Sequence, residues 1–324
     1  MDDGPEVSVP NDSTEPRPPR SDPVRRFYTW RVLALVLVLI WAAGQSLKDL
    51  TWLSGMMFYL PSPVVAGWLL LATILACRRR TGGIRWFAML LLPPSLMTGL
   101  VENQWTQQTE LLSAPTESSV KVVHWNVCHG VLGWEQQLLR LQAENADVLV
   151  ISEPPDTWKP TDFPDHHCLA LRGMLLVSRG ELSASSSLIP GGVIHAFDVS
   201  CQLPQMSLRM IVADHVSSLR VHRDPFLQKL NRVIEERQPD LVVGDFNAPR
   251  RSRAFAALPA GYRHAYDVAG NGWSYTWPVP CPMLAIDQTI CGPDIHVIHY
   301  ELESTRFSDH RLQRLTITPT KHKD

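Results

Sequence analysis

The sequence predicts an α/β domain carried behind an apolar helical region. Three observations predict it. Short apolar runs in the second part of the chain each end in a polar side chain, as buried strands do where they leave the core. Segments with helical spacing lie between those runs. The first hundred residues carry long apolar stretches with basic flanks, a composition alien to the rest.

In chain order, residues 1–26 are rich in Pro, Asp, Ser and Arg, too polar to bury a core, and read as a disordered cytoplasmic tail. Residues 27–102 read as a membrane region. Val32 to Gly44, Met56 to Cys77 and Ile84 to Val101 are apolar runs, and a span needs about 20 residues. Three transmembrane helices are expected, with two as the alternative. Ala42-Ala43-Gly44 gives the first run a likeness to a signal peptide. Pro61 and Pro63 imply that the second is kinked or partly interfacial. Arg17, Arg20, Arg25, Arg26 and Arg31 precede the first run, and Arg78, Arg79, Arg80 and Arg85 separate the second from the third. By the positive-inside rule both basic segments are cytoplasmic, so everything after Glu102 lies outside a multi-pass cell-membrane anchor. A polar linker is expected over 103–119, a globular domain over 120–319 and a short tail over 320–324.

Within the globular domain the strand-like runs are Val122-Val123-His124-Trp125-Asn126, Val148-Leu149-Val150-Ile151-Ser152-Glu153, Met210-Ile211-Val212-Ala213-Asp214-His215, Leu241-Val242-Val243-Gly244-Asp245 and Leu284-Ala285-Ile286-Asp287. Leu132 to Asn145 has helical spacing through Leu138, Leu139 and Leu141. A second helix opens at Asp224 as N-cap with Pro225 behind it, and shows Phe226, Leu227, Leu230, Val233 and Ile234 on one face. Past the Leu241 run, Asp245 and Asn247 stand two residues apart, so in extended backbone they point to one spot. Any one polar strand end is ordinarily a turn. The set is harder to dismiss.

Taken together with Ser308-Asp309-His310, these ends resemble the endonuclease/exonuclease/phosphatase superfamily related to DNase I, from about Val120 to Thr318. Gly-Asp-Phe-Asn and Ser-Asp-His are the specific pieces. The resemblance implies a four-layer α/β/β/α sandwich and hydrolysis of phosphoesters with Mg2+, or with Mn2+ in its place. A phosphodiester resists attack because its anionic oxygens repel a nucleophile, so catalysis is mainly charge neutralisation and alignment of water. By resemblance Glu153 is the principal metal ligand, with Asn126 and Asp309 beside it. Asp245 orients or deprotonates the water, Asn247 helps fix it, His310 contacts the phosphate with Asp287 behind its ring, and His215 donates to the phosphate. Whether Asp245 or His310 is the base stays open.

Two positions depart from the family pattern: Ser152 stands where Gln is common before the metal Glu, and Gln288 follows Asp287 where His or Tyr is frequent. Trp277, in the aromatic run from Trp273 to Pro278, and Arg250, beside Arg251 and Arg253, are expected to touch substrate; a core staple and a solvated loop are the bland alternatives. The net charge of −2 argues against a broad cationic face for duplex DNA. The partners implied are a phosphate ester (nucleic acid, nucleotide or phospholipid headgroup) and a lipid bilayer, with no obligate protein partner. Of the six cysteines, Cys281 and Cys291 are the most plausible bridge on spacing, and Cys128 is expected to be buried. A non-catalytic membrane-tethered scaffold on the same fold is the alternative to an enzyme.

Overall fold

The computed structural model describes residues 23–78, 83–106, 117–189 and 192–320, with side chains from Tyr28 onward. The expected tail through residue 22, most of the 103–119 linker and residues 321–324 lie outside the described residues.

The apolar region folds into a helical cluster. Helix α1 (Pro23–Leu47) takes in Arg25 and Arg26, so helix begins four residues earlier than composition suggests. Helix α2 (Trp52–Phe58) opens on a capping box between Thr51 and Ser54. It meets α3 (Ser62–Arg78) at a 54° bend over Tyr59, Leu60 and Pro61, where the sequence anticipates a break. Helix α4 (Ile84–Leu96) runs on through a π-helical turn (Met97–Glu102). Two helical stretches, Tyr28–Leu47 and Ile84–Glu102, are long and apolar enough to cross a membrane, and the bent α2–α3 pair makes a third if it counts as one span. Val38, Trp41, Val65, Leu69 and Phe87 pack between them, while Leu39, Leu71, Met89, Leu92 and Leu100 face outward.

The remainder is the four-layer arrangement the resemblance implies. One sheet runs β11-β12-β1-β2-β4-β3, from β1 (Val120–Asn126), β2 (Val148–Ser152), β3 (His167–Leu171), β4 (Met174–Ser178), β11 (Ile295–Glu303) and β12 (Leu312–Pro319). The other runs β5-β6-β7-β8-β10-β9, from β5 (Glu181–Ala184), β6 (Ile194–Gln202), β7 (Ser207–His215), β8 (Leu241–Asp245), β9 (Arg263–His264) and β10 (Asp287–Cys291). Only β1–β2 and β7–β8 pair in parallel. Each parallel pair is bridged by a helix: α5 (Trp134–Ala143) covers the first sheet and α6 (Asp224–Arg237) the second. Two shorter helices, α7 (Arg253–Ala256) and α8 (Ala265–Ala269), follow β8.

Val122, Val150, Leu176, Val199, Met210 and Val243 fill the space between the sheets. Trp125, Leu141, Leu149 and Ile151 pack under α5. Leu227, Leu230 and Ile234 bury the expected face of α6. Asp224 is the first residue of that helix rather than its cap, and its carboxylate accepts from Gln228 Nε2 at 2.7 Å, one turn on. The six cysteines are unpaired. Cys291 is buried at the end of β10 while Cys281 is exposed in the loop before it, so the spacing that suggested a bridge spans a whole strand.

Candidate active site

The strand ends meet where the two sheets face each other. Asp245 closes β8, with Asp214 of β7 and Asp287 of β10 as its register partners on either side. Cross-strand partners share a face, so these carboxylates form one row. Asn126 closes β1 on the opposite sheet and donates Nδ2–H to Asp245 Oδ2 at 3.0 Å, joining the two halves of the fold. The other Asp245 oxygen accepts the backbone N–H of Asn247 at 2.8 Å. Asn247 is held in the left-handed region at φ 47°, which Asn tolerates better than most residues. Gly244 is required one residue before Asp245: a Cβ there would lie 1.8 Å from the Ala213 carbonyl oxygen.

The loop before β12 closes the site. Ser308 Oγ–H donates to the Asn126 carbonyl at 2.7 Å and accepts the N–H of His310 at 3.0 Å. The Trp125 indole donates to the His310 carbonyl at 3.1 Å. His310 is thereby set with Nδ1 2.9 Å from Asp287 Oδ2. Asp309 Oδ2 accepts Nε1–H of Trp277 at 2.9 Å, whereas its Oδ1 is buried with no donor. Glu153 follows β2 at φ 49°, its side chain partly exposed and 3.4 Å from His129 Nε2.

Charge explains the electrostatics. Burial and the neighbouring Asp287 hold the Asp245 carboxyl well above the usual carboxylate range, and Asp214 adds to this. Asp214 itself is pushed up to about 7 by burial and by Glu153 and Asp287. Burial works against a charged His310, but Asp287, Asp245 and Asp309 outweigh it and raise the imidazole to about 10. Burial alone would raise Asp287 as well; the His310 charge brings it below the ordinary value. Asp245, Asp287 and His310 bring ligand-type atoms within 4.8 Å of one another. Asp287 Oδ2 is engaged by His310, and Asp287 Oδ1, like Asp309 Oδ1, is buried with no donor. The donor-less Asp309 Oδ1 and the surplus of carboxylates over cations both fit a hard divalent ion.

The family model for endonuclease/exonuclease/phosphatase proteins matches residues 123–310, more than half of the 324 residues. The chain belongs to this family. Family members are hydrolases of phosphoester bonds and generally depend on a divalent metal. No curated protein matches the chain by sequence. Among solved structures, a humanised D. rerio TDP2 is 16% identical, with 62% of this chain and 100% of that one covered and a TM-score of 0.49. The human Nocturnin catalytic domain with bound sulfate is 16% identical over 62% and 94%, TM-score 0.47. A family protein from Bacteroides thetaiotaomicron is 16% identical over 63% and 98%, TM-score 0.45.

Of the residues the family pattern singles out, Asn126, Asp245 and Asn247 form one hydrogen-bonded set and Asp287 and His310 another, with His310 Nδ1 3.9 Å from Asp245 Oδ2, and Asp309 and Trp277 adjoin them. His215 lies outside these two sets, its buried Nε2 without a partner. Its Nδ1 meets the Val216 carbonyl at 3.1 Å, burial lowers its pKa to about 4, and its ring packs edge-on to Phe226 under α6. Its carbonyl does accept Asn247 Nδ2–H at 2.7 Å. The expectation for Arg250 is corrected: it turns away from the site, stacked 4.3 Å over the Tyr266 ring and bonded to Asp267 and the Glu102 carbonyl, because the helical cluster offers it acceptors. Cys128 is likewise not a core residue; it sits half-buried beside Asp309, at φ 48°. Ser152 replaces the family Gln by bonding the buried His124 ring at 3.0 Å. Sequence reasoning passed over Asp214, one residue before the histidine it chose. Alternation along β7 was the available signal, since Asp214 rather than His215 registers with Asp245.

Proposed function

We propose that the protein is a membrane-anchored, divalent-metal-dependent phosphoesterase that hydrolyses its substrate by in-line attack of an activated water. The observation that carries this reading is the pair of dyads, Asn126 to Asp245 and Asp287 to His310, which approach within 3.9 Å of each other where the sheets meet. Glu153, Asn126 and Asp309 would hold Mg2+ or Mn2+, which when bound supplies charge neutralisation at the phosphate. Asp245 has both oxygens oriented, one by Asn126 and one by the Asn247 N–H, and its elevated proton affinity suits a carboxylate that takes a proton from water. His310, cationic at neutral pH with Nδ1 committed to Asp287, is left with Nε2–H to donate to a phosphate oxygen. Trp277, fixed through Asp309 and 6.5 Å from the His310 ring centroid, forms a wall for the leaving group.

The apolar helices and the placement of arginines support a multi-pass anchor with the catalytic domain outside the cytoplasm. The test is hydrolysis of bis-p-nitrophenyl phosphate by the full chain in detergent, with and without EDTA, beside Asp245→Ala. Activity that ignores both chelator and substitution refutes the assignment. Single-stranded DNA, duplex DNA, nucleotides and phospholipids then sort the substrate.

A further inference from the structure

The helical cluster does not merely hang beside the catalytic domain. The two meet along a polar seam. Asp49 Oδ1 accepts the Arg253 N–H at 2.8 Å, and the Glu102 carbonyl accepts from Arg250 and from Ser274, each at 2.7 Å. The Glu102 carboxylate takes the hydroxyls of Ser62, at 2.9 Å, and Tyr275. These bonds gather on the segments that follow β8 and precede β10, which flank Asp245 and Asp287.

The innermost of them is Tyr59, in the bend between α2 and α3. Its hydroxyl donates to the Asn247 carbonyl at 2.8 Å. Arg223 backs it, with Nη1 3.4 Å from that hydroxyl, its guanidinium 5.3 Å from the ring centroid, and Nη2 on the Val216 and Ser218 carbonyls at 3.2 and 3.1 Å. Tyr59 therefore stands where the loops after the parallel strands β7 and β8 converge. Asn247 passes the constraint on: its N–H holds Asp245 Oδ1, and its side chain holds the His215 carbonyl. A left-handed Asn has nearby alternatives in backbone space, and a donor on its carbonyl selects one of them.

We propose that Tyr59 is a positioning residue for Asp245, acting through the Asn247 peptide, so that the helical cluster completes the active site as well as carrying it. The inference rests on the phosphoesterase reading above. It places a structural dependence inside the chain: the catalytic carboxylate has its second hydrogen bond in register only while the helices are docked.

The experiment is steady-state hydrolysis of bis-p-nitrophenyl phosphate by the full chain in detergent micelles with saturating Mg2+, comparing wild type, Tyr59→Phe and Trp52→Phe. Tyr59→Phe removes one hydroxyl and keeps the ring; kcat is expected to fall about tenfold with KM within about twofold, the signature of misaligned chemistry rather than weakened binding. Trp52→Phe removes another seam bond, from the indole to the Leu219 carbonyl at 2.9 Å, and is expected to keep wild-type kcat and KM. Wild-type kcat in Tyr59→Phe overturns the proposal. So does an equal loss in Trp52→Phe, which would mean general undocking, or a Tyr59→Phe loss confined to KM. An inert wild type overturns the phosphoesterase reading and this inference with it, and is told apart by the wild-type arm alone.

Discussion

His310 presents Nδ1–H to Asp287 Oδ2 at 2.9 Å, while Asp245 Oδ2 lies 3.9 Å from the same nitrogen. One imidazolium thus sits between two buried carboxylates, and the shorter contact decides which of them is ionised. Asp287 is drawn down by the His310 charge; Asp245, buried beside Asp287, is pushed up.

Replacing Asp287 by Asn should uncouple that arrangement. The raised His310 value of about 10 depends chiefly on Asp287, so in Asp287→Asn the imidazole should titrate closer to its ordinary 6.5. The sign follows: a histidine whose folded value is raised contributes stability fully below pH 6.5 and loses it as pH climbs toward 10, so the variant should lose stability most at neutral and acid pH. Activity should fall about a hundredfold, because the ring loses both its orientation and its charge. Imidazole NMR titration of the full chain in micelles measures the shift. A ring that still titrates near 10 rules this coupling out.

Asp245→Asn separates function from stability. The amide oxygen can keep the Asn247 N–H, but its NH2 then faces the Asn126 Nδ2–H that Asp245 Oδ2 accepts, while the repulsion of the carboxylate by Asp287 and Asp214 is removed. A carboxyl whose folded value is raised costs stability progressively as pH climbs from its unfolded 3.8 toward that value, so the stability of the metal-free variant relative to wild type should rise with pH over that range. The same change should cost about a thousandfold in kcat. Thermal melts in EDTA beside turnover assays check both. A stability difference that does not change with pH would mean that Asp245 is not a strained carboxyl.

Much of this was readable in the sequence, for reasons that residues make plain. Strand ends at Asn126 and Asp245 are visible because a buried run stops where a polar side chain begins, whereas Asp287 opens β10 and the 284–286 run expected as a strand lies in the loop before it. Arg250 was misread because a cation's direction depends on distant acceptors, here the Glu102 carbonyl and the Tyr266 ring. The partner of Ser152 was not legible because His124 is 28 residues away and meets it only through the parallel pairing of β1 and β2. Tyr59 carried no signal at all: a tyrosine in an apolar stretch before a proline reads as an interfacial ring.

His124 predicts an acid-side weakness. Its ring is buried, with Nδ1 3.0 Å from Gln313 Nε2 and Nε2 3.0 Å from Ser152 Oγ. Thr289 and Tyr300 both donate to Gln313 Oε1, each at 2.8 Å, which fixes that amide and makes its NH2 the group facing His124. Protonation at Nδ1 would set donor against donor. Burial accordingly lowers His124 to about 4. With a folded value below the unfolded 6.5, stability is intact above pH 6.5 and declines as pH falls toward 4. In His124→Gln, proton uptake on unfolding between those limits should drop by about one, read from the pH dependence of denaturant midpoints. An unchanged slope would place the acid sensitivity in other buried histidines, such as His264.

The last prediction concerns the ion. Asp309 Oδ1 is buried without a donor while its partner oxygen is held by Trp277, and Glu153, partly exposed, lies close enough to Cys128 to act on the same thiol as Asp309. A cation that binds only the folded chain stabilises it by mass action, about 2.7 kcal/mol at a hundredfold excess over the dissociation constant. Mg2+ or Mn2+ should therefore raise the melting temperature of the wild type in micelles. Asp309→Asn and Glu153→Gln should each blunt that rise, and Arg250→Gln, which alters the seam and not the cleft, should leave it intact. The readout is binding rather than turnover, so it stands even if the true substrate is unlike the probe. Equal thermal shifts in wild type and both carboxylate variants would show that the ion binds elsewhere, and the ligand assignment would have to be abandoned.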